Sequence, residues 1–518
     1  MAARATSTLG RMRRLRVVSR PAIALVVLSG LLLGACAKAA SEDPLAGQTT
    51  TSTTERDERP STTRDVSGLD PAEAFDPEPL DWAPCTYGEC AYLDVPIDYE
   101  DPDAGRTRIH VARAPADGDR IGALFVNPGG PGAGGADFAA ILSMILPSEI
   151  TDRFDIVGVD PRGTGESSPI DCGVDATELY GTDHTLEDEE DERALLEISK
   201  AYVDDCTLHY GDVLQHVGTR DVARDMNTVL RAMGEEEMNF LGFSYGTAIG
   251  QVYADLFPDR VRAMILDGVL ELGPSGIELA TTQAIGFETA LDRFVEYCRA
   301  AEGCQTADDP LGAVERVIEL SERPGGIPAS RADRPAGAGE VQMGLAMALY
   351  SQSLWGTLDR ALAEALEGDG SRLVDLADQY VGIGDFEIYF GVNCLDFEWP
   401  SDPQEFFAAA KAAAEQAPHF GEAIVNDYVR CADWPVEQEP LEPVAAPGTP
   451  PILVISTTGD PATPFEAGVA VAERLEQGVL VVNDGDGHTV VADGNPCIDD
   501  IVVRYLVDLA VPEDGTTC

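Results

Sequence analysis

From Trp82 onward, short apolar runs alternate with stretches whose apolar residues recur every three to four positions, the mark of strands alternating with helices. Residues 91–95 and 107–112 read as early strands. Residues 122–127 and 154–160 read as buried strands that run into glycine-rich turns. Helical spacing covers 190–206 and 220–233. A strand follows at 238–243, a helix at 245–257 and a strand at 261–266. This order predicts a doubly wound, mostly parallel sheet, because parallel neighbours need a crossover and a helix is its usual form. Between 271 and 442 the alternation stops. Segments 281–301, 342–367 and 403–415 are helical in period and are separated by loops rich in Gly, Pro and Asp. Strand-like runs return at 451–456 and 478–482, with helices at 465–476 and 498–509. One α/β core is expected, its first part at 82–270 and its second at 443–518, interrupted by a helical cap at 271–442.

The first 81 residues have a different pattern. Arg4, Arg11, Arg13, Arg14, Arg16 and Arg20 precede an apolar stretch, 21–33, too short to span a bilayer. Residues 1–35 therefore read as a signal peptide. Leu33-Gly34-Ala35-Cys36 resembles the lipobox of bacterial lipoproteins, in which the cysteine is acylated and becomes the first mature residue. Residues 36–81 include the run Thr49-Thr50-Thr51-Ser52-Thr53-Thr54 and many Asp, Glu and Pro. Such a composition buries too little apolar area to offset ordering entropy, so a lipid anchor followed by a flexible tether is expected.

Of the eleven cysteines, ten remain when Cys36 is set aside. An even number in an exported chain implies disulfides. Pairing neighbours in sequence joins Cys85 to Cys90, Cys172 to Cys206, Cys298 to Cys304, Cys394 to Cys431 and Cys497 to Cys518, although spacing alone leaves the connectivity open. No Cys or His cluster has zinc-ligand spacing, so a zinc site is not expected.

The 518 residues are 44% hydrophobic, ample for a large core. Charge narrows the choice of partners. Asp and Glu number 91 against 35 Lys and Arg, a formal net charge of −56. Such a surface repels phosphate backbones and anionic headgroups, which argues against nucleic acid and leaves an N-terminal lipid as the expected membrane contact.

The chemistry centres on Gly242-Phe243-Ser244-Tyr245-Gly246, a G-x-S-x-G motif between a predicted strand and a predicted helix. That turn lifts the serine hydroxyl above a sheet, beside a helix N-terminus that favours developing negative charge. A serine needs a base to take its proton. Of six histidines, His488 follows the last predicted strand, in Gly485-Asp486-Gly487-His488-Thr489, where such a base belongs. Asp460, after the strand at 451–456, is the candidate acid to orient it, with Asp484 and Asp486 as competitors. The order Ser, Asp, His is that of α/β hydrolases. Asn127-Pro128-Gly129-Gly130-Pro131-Gly132 is the candidate oxyanion loop. Its prolines have no N–H, leaving Gly129, Gly130 or Gly132; Gly130 is chosen, paired with the amide of Tyr245.

Taken together, several segments resemble the α/β-hydrolase aminopeptidases of actinobacteria, the tripeptidyl and prolyl group with a characteristic C-terminal segment. They are Trp82 with Cys85, Cys90-Ala91 and Val95-Pro96-Ile97-Asp98-Tyr99; the 127–132 loop; Asp160-Pro161-Arg162-Gly163-Thr164-Gly165; the serine motif; Leu266-Asp267-Gly268-Val269; Asp460-Pro461-Ala462-Thr463-Pro464; and Gly487-His488. The resemblance spans nearly all of 82–518. It implies an α/β-hydrolase fold with an inserted cap, peptide substrates cleaved from their N-termini through an acyl-enzyme, and no cofactor. Mycobacterial members of this group in the cell envelope are also lipoproteins, which suits Cys36. An aminopeptidase must recognise an ammonium, and Asp396 and Glu398, in Asn393-Cys394-Leu395-Asp396-Phe397-Glu398-Trp399, are the carboxylates the resemblance suggests. The same triad serves a carboxylesterase or lipase, the alternative. A non-catalytic peptide-binding lipoprotein fits less well with an intact triad.

Overall fold

The computed structural model describes residues 70–86, 88–173, 181–186, 188–382, 384 and 386–518. The signal peptide, Cys36 and most of the expected tether lie outside them. Ten strands form one sheet in the order β1-β2-β3-β5-β4-β6-β7-β8-β9-β10. β1 (Ala83–Cys85), β2 (Gly88–Pro96) and β3 (Arg106–Ala114) pair antiparallel, and β3 joins β5 (Phe154–Val159) antiparallel. From there β4 (Gly122–Asn127), β6 (Met238–Phe243), β7 (Val261–Asp267), β8 (Ile452–Gly459) and β9 (Gly478–Asp486) run parallel, closed by the short β10 (Thr516–Thr517). This is the α/β-hydrolase fold, and the central strands lie within a residue or two of where the apolar runs placed them.

Every residue of β4, β5 and β6 is buried, because helices cover both faces of the sheet. Alternate residues serve the two sides. Leu124 and Val126 pack with Phe138 of helix Gly135–Ile145 and Ile498 of helix Pro496–Asp508. Ala123 and Phe125 face the opposite core, with Val222 and Met226 of helix Thr219–Ala232 and Ala248 and Val252 of helix Gly246–Leu256. Parallel strands send their C-terminal ends to one edge, so the loops after Asn127, Phe243, Asp267, Gly459 and Asp486 gather there.

The cap enters between β7 and β8 and is helical, as its period requires. It has its own core, in which Phe287, Leu291 and Phe294 of helix Gly276–Ala300 pack with Leu345, Trp355, Leu358 and Leu373. The long helix expected over 342–367 is two, Ala338–Leu349 and Trp355–Leu366. The break has no Gly or Pro. The Ser351 hydroxyl accepts the Ser353 amide and starts a single tight turn at Gln352–Leu354, which redirects the chain.

Two findings concern the ends of the chain. Residues 70–81 are docked, not part of a tether. Asp70 caps the turn Pro71–Ala74, Ala72 is fully buried, Asp70 pairs with Arg224 at 3.2 Å, and Glu73 pairs with Arg260 at 2.6 Å. Short-range composition hides these long-range arginine partners. The ten cysteines form the five pairs expected from sequence neighbours. Five disulfides belong to an exported protein. Among the described residues, no helix is long and apolar enough to cross a membrane.

Candidate active site

Ser244 sits between β6 and helix Gly246–Leu256 with φ +54°, a left-handed backbone that a serine adopts only when its surroundings enforce it. The two flanking glycines are obligatory. A Cβ on Gly242 would lie 2.6 Å from the Gly246 carbonyl oxygen, and one on Gly246 2.7 Å from that of Asn127. The Ser244 amide donates to the Asp267 carbonyl at 2.9 Å, tying the turn to the end of β7.

The 127–132 loop lies against this turn. Gly129, at φ +92°, has room for no side chain: a Cβ would stand 2.7 Å from Tyr245 N and 3.0 Å from Ser244 Cβ. Its amide is engaged by Asn127 Oδ1 at 2.9 Å. Gly130, Ser244 and Tyr245 line one chamber of about 100 Å³. The loop expected to bind the oxyanion thus lies beside the serine turn, with Gly129 at the point of closest approach.

His488 Nδ1 lies 2.8 Å from Asp460 Oδ2 and 2.9 Å from Oδ1. Asp460 is buried, and it is oriented in turn by the Ala462 and Thr463 amides, both 2.9 Å from Oδ1, and by the Thr463 hydroxyl. With Nδ1 held by Asp460, the other ring nitrogen, Nε2, is buried and has no hydrogen-bond partner among the described residues. Burial alone would lower the His488 pKa, but the Asp460 carboxylate, with Asp267 behind it, raises it above the usual imidazole value.

Asp267 connects base and serine. Its carbonyl receives the Ser244 amide, and its carboxylate Oδ2 receives the amides of Val490 and Val491, each at 2.8 Å, just beyond His488. The imidazole abuts the next residue, since a Cβ on Gly268 would stand 2.9 Å from His488 Cε1. Ser244 and His488 are thus pinned to one strand end. Asp484 and Asp486, the competing acids, turn elsewhere: Asp484 accepts from the Thr458 hydroxyl, and Asp486 pairs with Arg293.

The structure does not bring Asp396 and Glu398 to the chamber as an ammonium clamp. Asp396 is 1% exposed, and its Oδ2 accepts the Tyr245 hydroxyl at 2.7 Å and the Thr219 amide at 2.9 Å. Burial pushes its carboxyl up, against the pull of Thr219 and Tyr245. It buttresses the elbow from behind. Glu398 is exposed and lines neither chamber.

The cap supplies wall residues that sequence reasoning missed, among them Gln283, Tyr350, Tyr380, Tyr389 and Tyr428. They come from separate helices and turns, so no local motif announces them. Gln283, Tyr380, Tyr389 and Tyr428 also line a larger cavity of about 450 Å³, whose walls carry Asp183, Glu315, Glu322, Glu422 and Asp427. Elsewhere in the cap, Cys298, Cys304 and Asp359 cluster at metal-ligand distances, but the two sulfurs are joined in a disulfide and offer no thiolate.

Comparison with known proteins places this geometry among relatives. Residues 417–518 match a family model described as TAP-like protein. Serine protease Hip1 of Mycobacterium tuberculosis is 36% identical over 480 residues, covering 85% of this chain and 91% of that protein. Carboxylesterase B of the same organism is 34% identical over 536 residues, covering 96% and 98%. Tripeptidyl aminopeptidase of Streptomyces lividans is 30% identical over 472 residues, covering 85% and 86%.

Proposed function

The chain belongs to the α/β-hydrolase family of serine hydrolases that carries the TAP-like C-terminal segment, and on that premise we propose that it is an exported exopeptidase releasing residues or short peptides from peptide N-termini. Ser244 Oγ attacks the scissile carbonyl carbon while His488 Nε2 takes its proton. Asp460 holds the imidazole in the required tautomer and stabilises its cation. The amides of Gly130 and Tyr245 receive the developing oxyanion. His488 then passes the proton to the leaving amine. Water, deprotonated by the same imidazole, releases the acyl group and restores Ser244.

The observation that carries this reading is the placement of His488, clasped by Asp460 and tied through Asp267 to the strand end that bears Ser244. The setting of the chamber supports the choice of peptides. It adjoins a larger cavity walled by carboxylates, the environment that favours a substrate ammonium. With Asp396 and Glu398 withdrawn from that role, and Asp427 already paired with Arg430 at 2.9 Å, Glu422 takes it. We also assign the protein an acyl anchor on Cys36, consistent with its signal and lipobox pattern, and no nucleic-acid partner.

The test compares peptide arylamides with free and with acylated N-termini against p-nitrophenyl esters, using wild type and Ser244→Ala. Preference for the free amine, lost in Ser244→Ala, supports the exopeptidase. Equal cleavage of free and blocked substrates would sink it. A second reading, a carboxylesterase, draws on the relative of that name, which aligns with nearly the whole chain. It predicts ester hydrolysis far above any arylamide turnover.

A further inference from the structure

The loop that carries His488 is held from two sides, and one of them is the cap. On the core side, Asp267 takes the Val490 and Val491 amides, and Asp460 takes the imidazole. On the cap side, the His488 amide donates to the Tyr350 carbonyl at 2.8 Å, and Ser351 forms an antiparallel bridge with Gly487. The Tyr350 ring meets the His488 ring edge-on, with centroids 5.4 Å apart at 74°. Gly487 can approach this closely because it has no side chain and holds φ +112°.

Two residues earlier, at the end of β9, stands Asp486, and both of its carboxylate oxygens are taken by cap side chains. Arg293 Nη1 donates to Oδ1 at 2.7 Å, and Gln352 Nε2 donates to Oδ2 at 2.8 Å. Arg293 also reaches the Thr458 carbonyl at 3.4 Å, two residues before Asp460. The Asp486 side chain is 17% exposed and that of Arg293 38%, so solvent partly screens the pair. Cap contacts therefore engage residues 486–488, up to the base itself, and reach the strand end that leads to the acid.

Resting on the reading of His488 as general base, we propose that the cap is a positioning element of the catalytic machinery. Tyr350 through its carbonyl, and Arg293 and Gln352 through Asp486, hold the 486–489 turn in the register that aims His488 at the serine. Tyr350 also lines the chamber at Ser244. A substrate seated against it presses on the residue whose carbonyl holds the base, which couples occupancy of the chamber to alignment of the imidazole. Asp486, a rejected candidate for the catalytic acid, acquires a role as the anchor of this latch.

The experiment uses p-nitrophenyl acetate, whose turnover needs the triad but no peptide subsites, with full-length protein normalised to active sites by a fluorophosphonate label. In Arg293→Ala, kcat is expected to fall on the order of ten- to a hundred-fold, the cost of a slightly misplaced catalytic group. KM stays within about two-fold, since no substrate contact is removed. The acid limb of the pH–rate profile moves to lower pH, because a slackened His488 loses part of the Asp460 interaction that raises its pKa. Arg293→Lys restores part of the rate, and adding Asp486→Ala to Arg293→Ala causes little further loss. Unchanged kcat and pH profile in Arg293→Ala, with only a lower melting temperature, would overturn the proposal. Should that variant fail to fold, Gln352→Ala is read instead: a several-fold fall in kcat supports the latch, and no change refutes it. His488→Ala separates the two levels. If it still hydrolyses the ester at the wild-type rate, the assignment of the base fails and the latch falls with it; an inactive His488→Ala beside an unchanged Arg293→Ala overturns the latch alone.

Discussion

Tyr245 donates its hydroxyl to Asp396 Oδ2 at 2.7 Å, so the residue following the nucleophile is anchored to the last residue of the cap helix Phe386–Asp396. Asp396 also takes the Thr219 amide, at the start of the helix behind the elbow. Replacing it by Ala strands the buried Thr219 amide, at about 1–3 kcal/mol, and leaves the Tyr245 hydroxyl with the Thr219 hydroxyl alone. Asp396→Ala is expected to lower both the melting temperature and kcat while leaving KM for free-amine peptides nearly unchanged. Steady-state kinetics with calorimetry checks this; a rise in KM alone would return Asp396 to ammonium binding.

Asp267 makes the second prediction. Burial, only partly offset by the Val490 and Val491 amides, raises its carboxyl to about 6. Its charge beside His488 raises the imidazole pKa, so Asp267→Asn is expected to shift the acid limb of kcat/KM to lower pH. Stability follows with its own sign. The folded value exceeds the ordinary Asp value of about 3.9, so ionisation weakens the fold as pH rises from about 4 to 6. The Asn variant should lack that component. Melting curves across the interval, compared with wild type, measure the difference.

Gly129 is held where any side chain would meet Tyr245 N and Ser244 Cβ. Gly129→Ala is expected to displace the 127–132 loop and cut kcat by about 10²–10³, the scale of one lost oxyanion donor. Rapid-quench measurement of acylation isolates that step. Normal acylation in a folded variant would mean that the loop does not serve the oxyanion.

The Cys394–Cys431 bond closes a separation of 37 residues and ties the helix bearing Asp396 to the turn at Asp427–Asp433. Chain-entropy reasoning assigns such a cross-link about 3–4 kcal/mol. Cys394→Ser with Cys431→Ser should therefore lower the melting temperature more than removing the short Cys85–Cys90 link, whose separation is 5. Paired thermal melts of the two double variants decide it.

What could be read in the chain without coordinates was what is local. The glycines around Ser244 and the apolar runs of β4, β6, β7 and β8 are each contained within a few residues, and each reports its own conformation. His488 and Asp460 were legible because the fold orders its strand-end loops along the chain. The cap resisted. Asp396 looks like any acid of an acidic protein until Thr219 and Tyr245, more than 150 positions away for Tyr245, are seen to hold it. Asp486 is two positions from His488, yet Arg293 draws it aside. The division of 342–367 rests on one hydroxyl, Ser351, that no helical period reveals. Docking of Ala72 depends on arginines more than 150 residues on, which composition cannot weigh.

The narrow space at Ser244 shares Gln283, Tyr380, Tyr389 and Tyr428 with its roomier neighbour. A substitution at any of these four residues therefore reshapes both spaces at once.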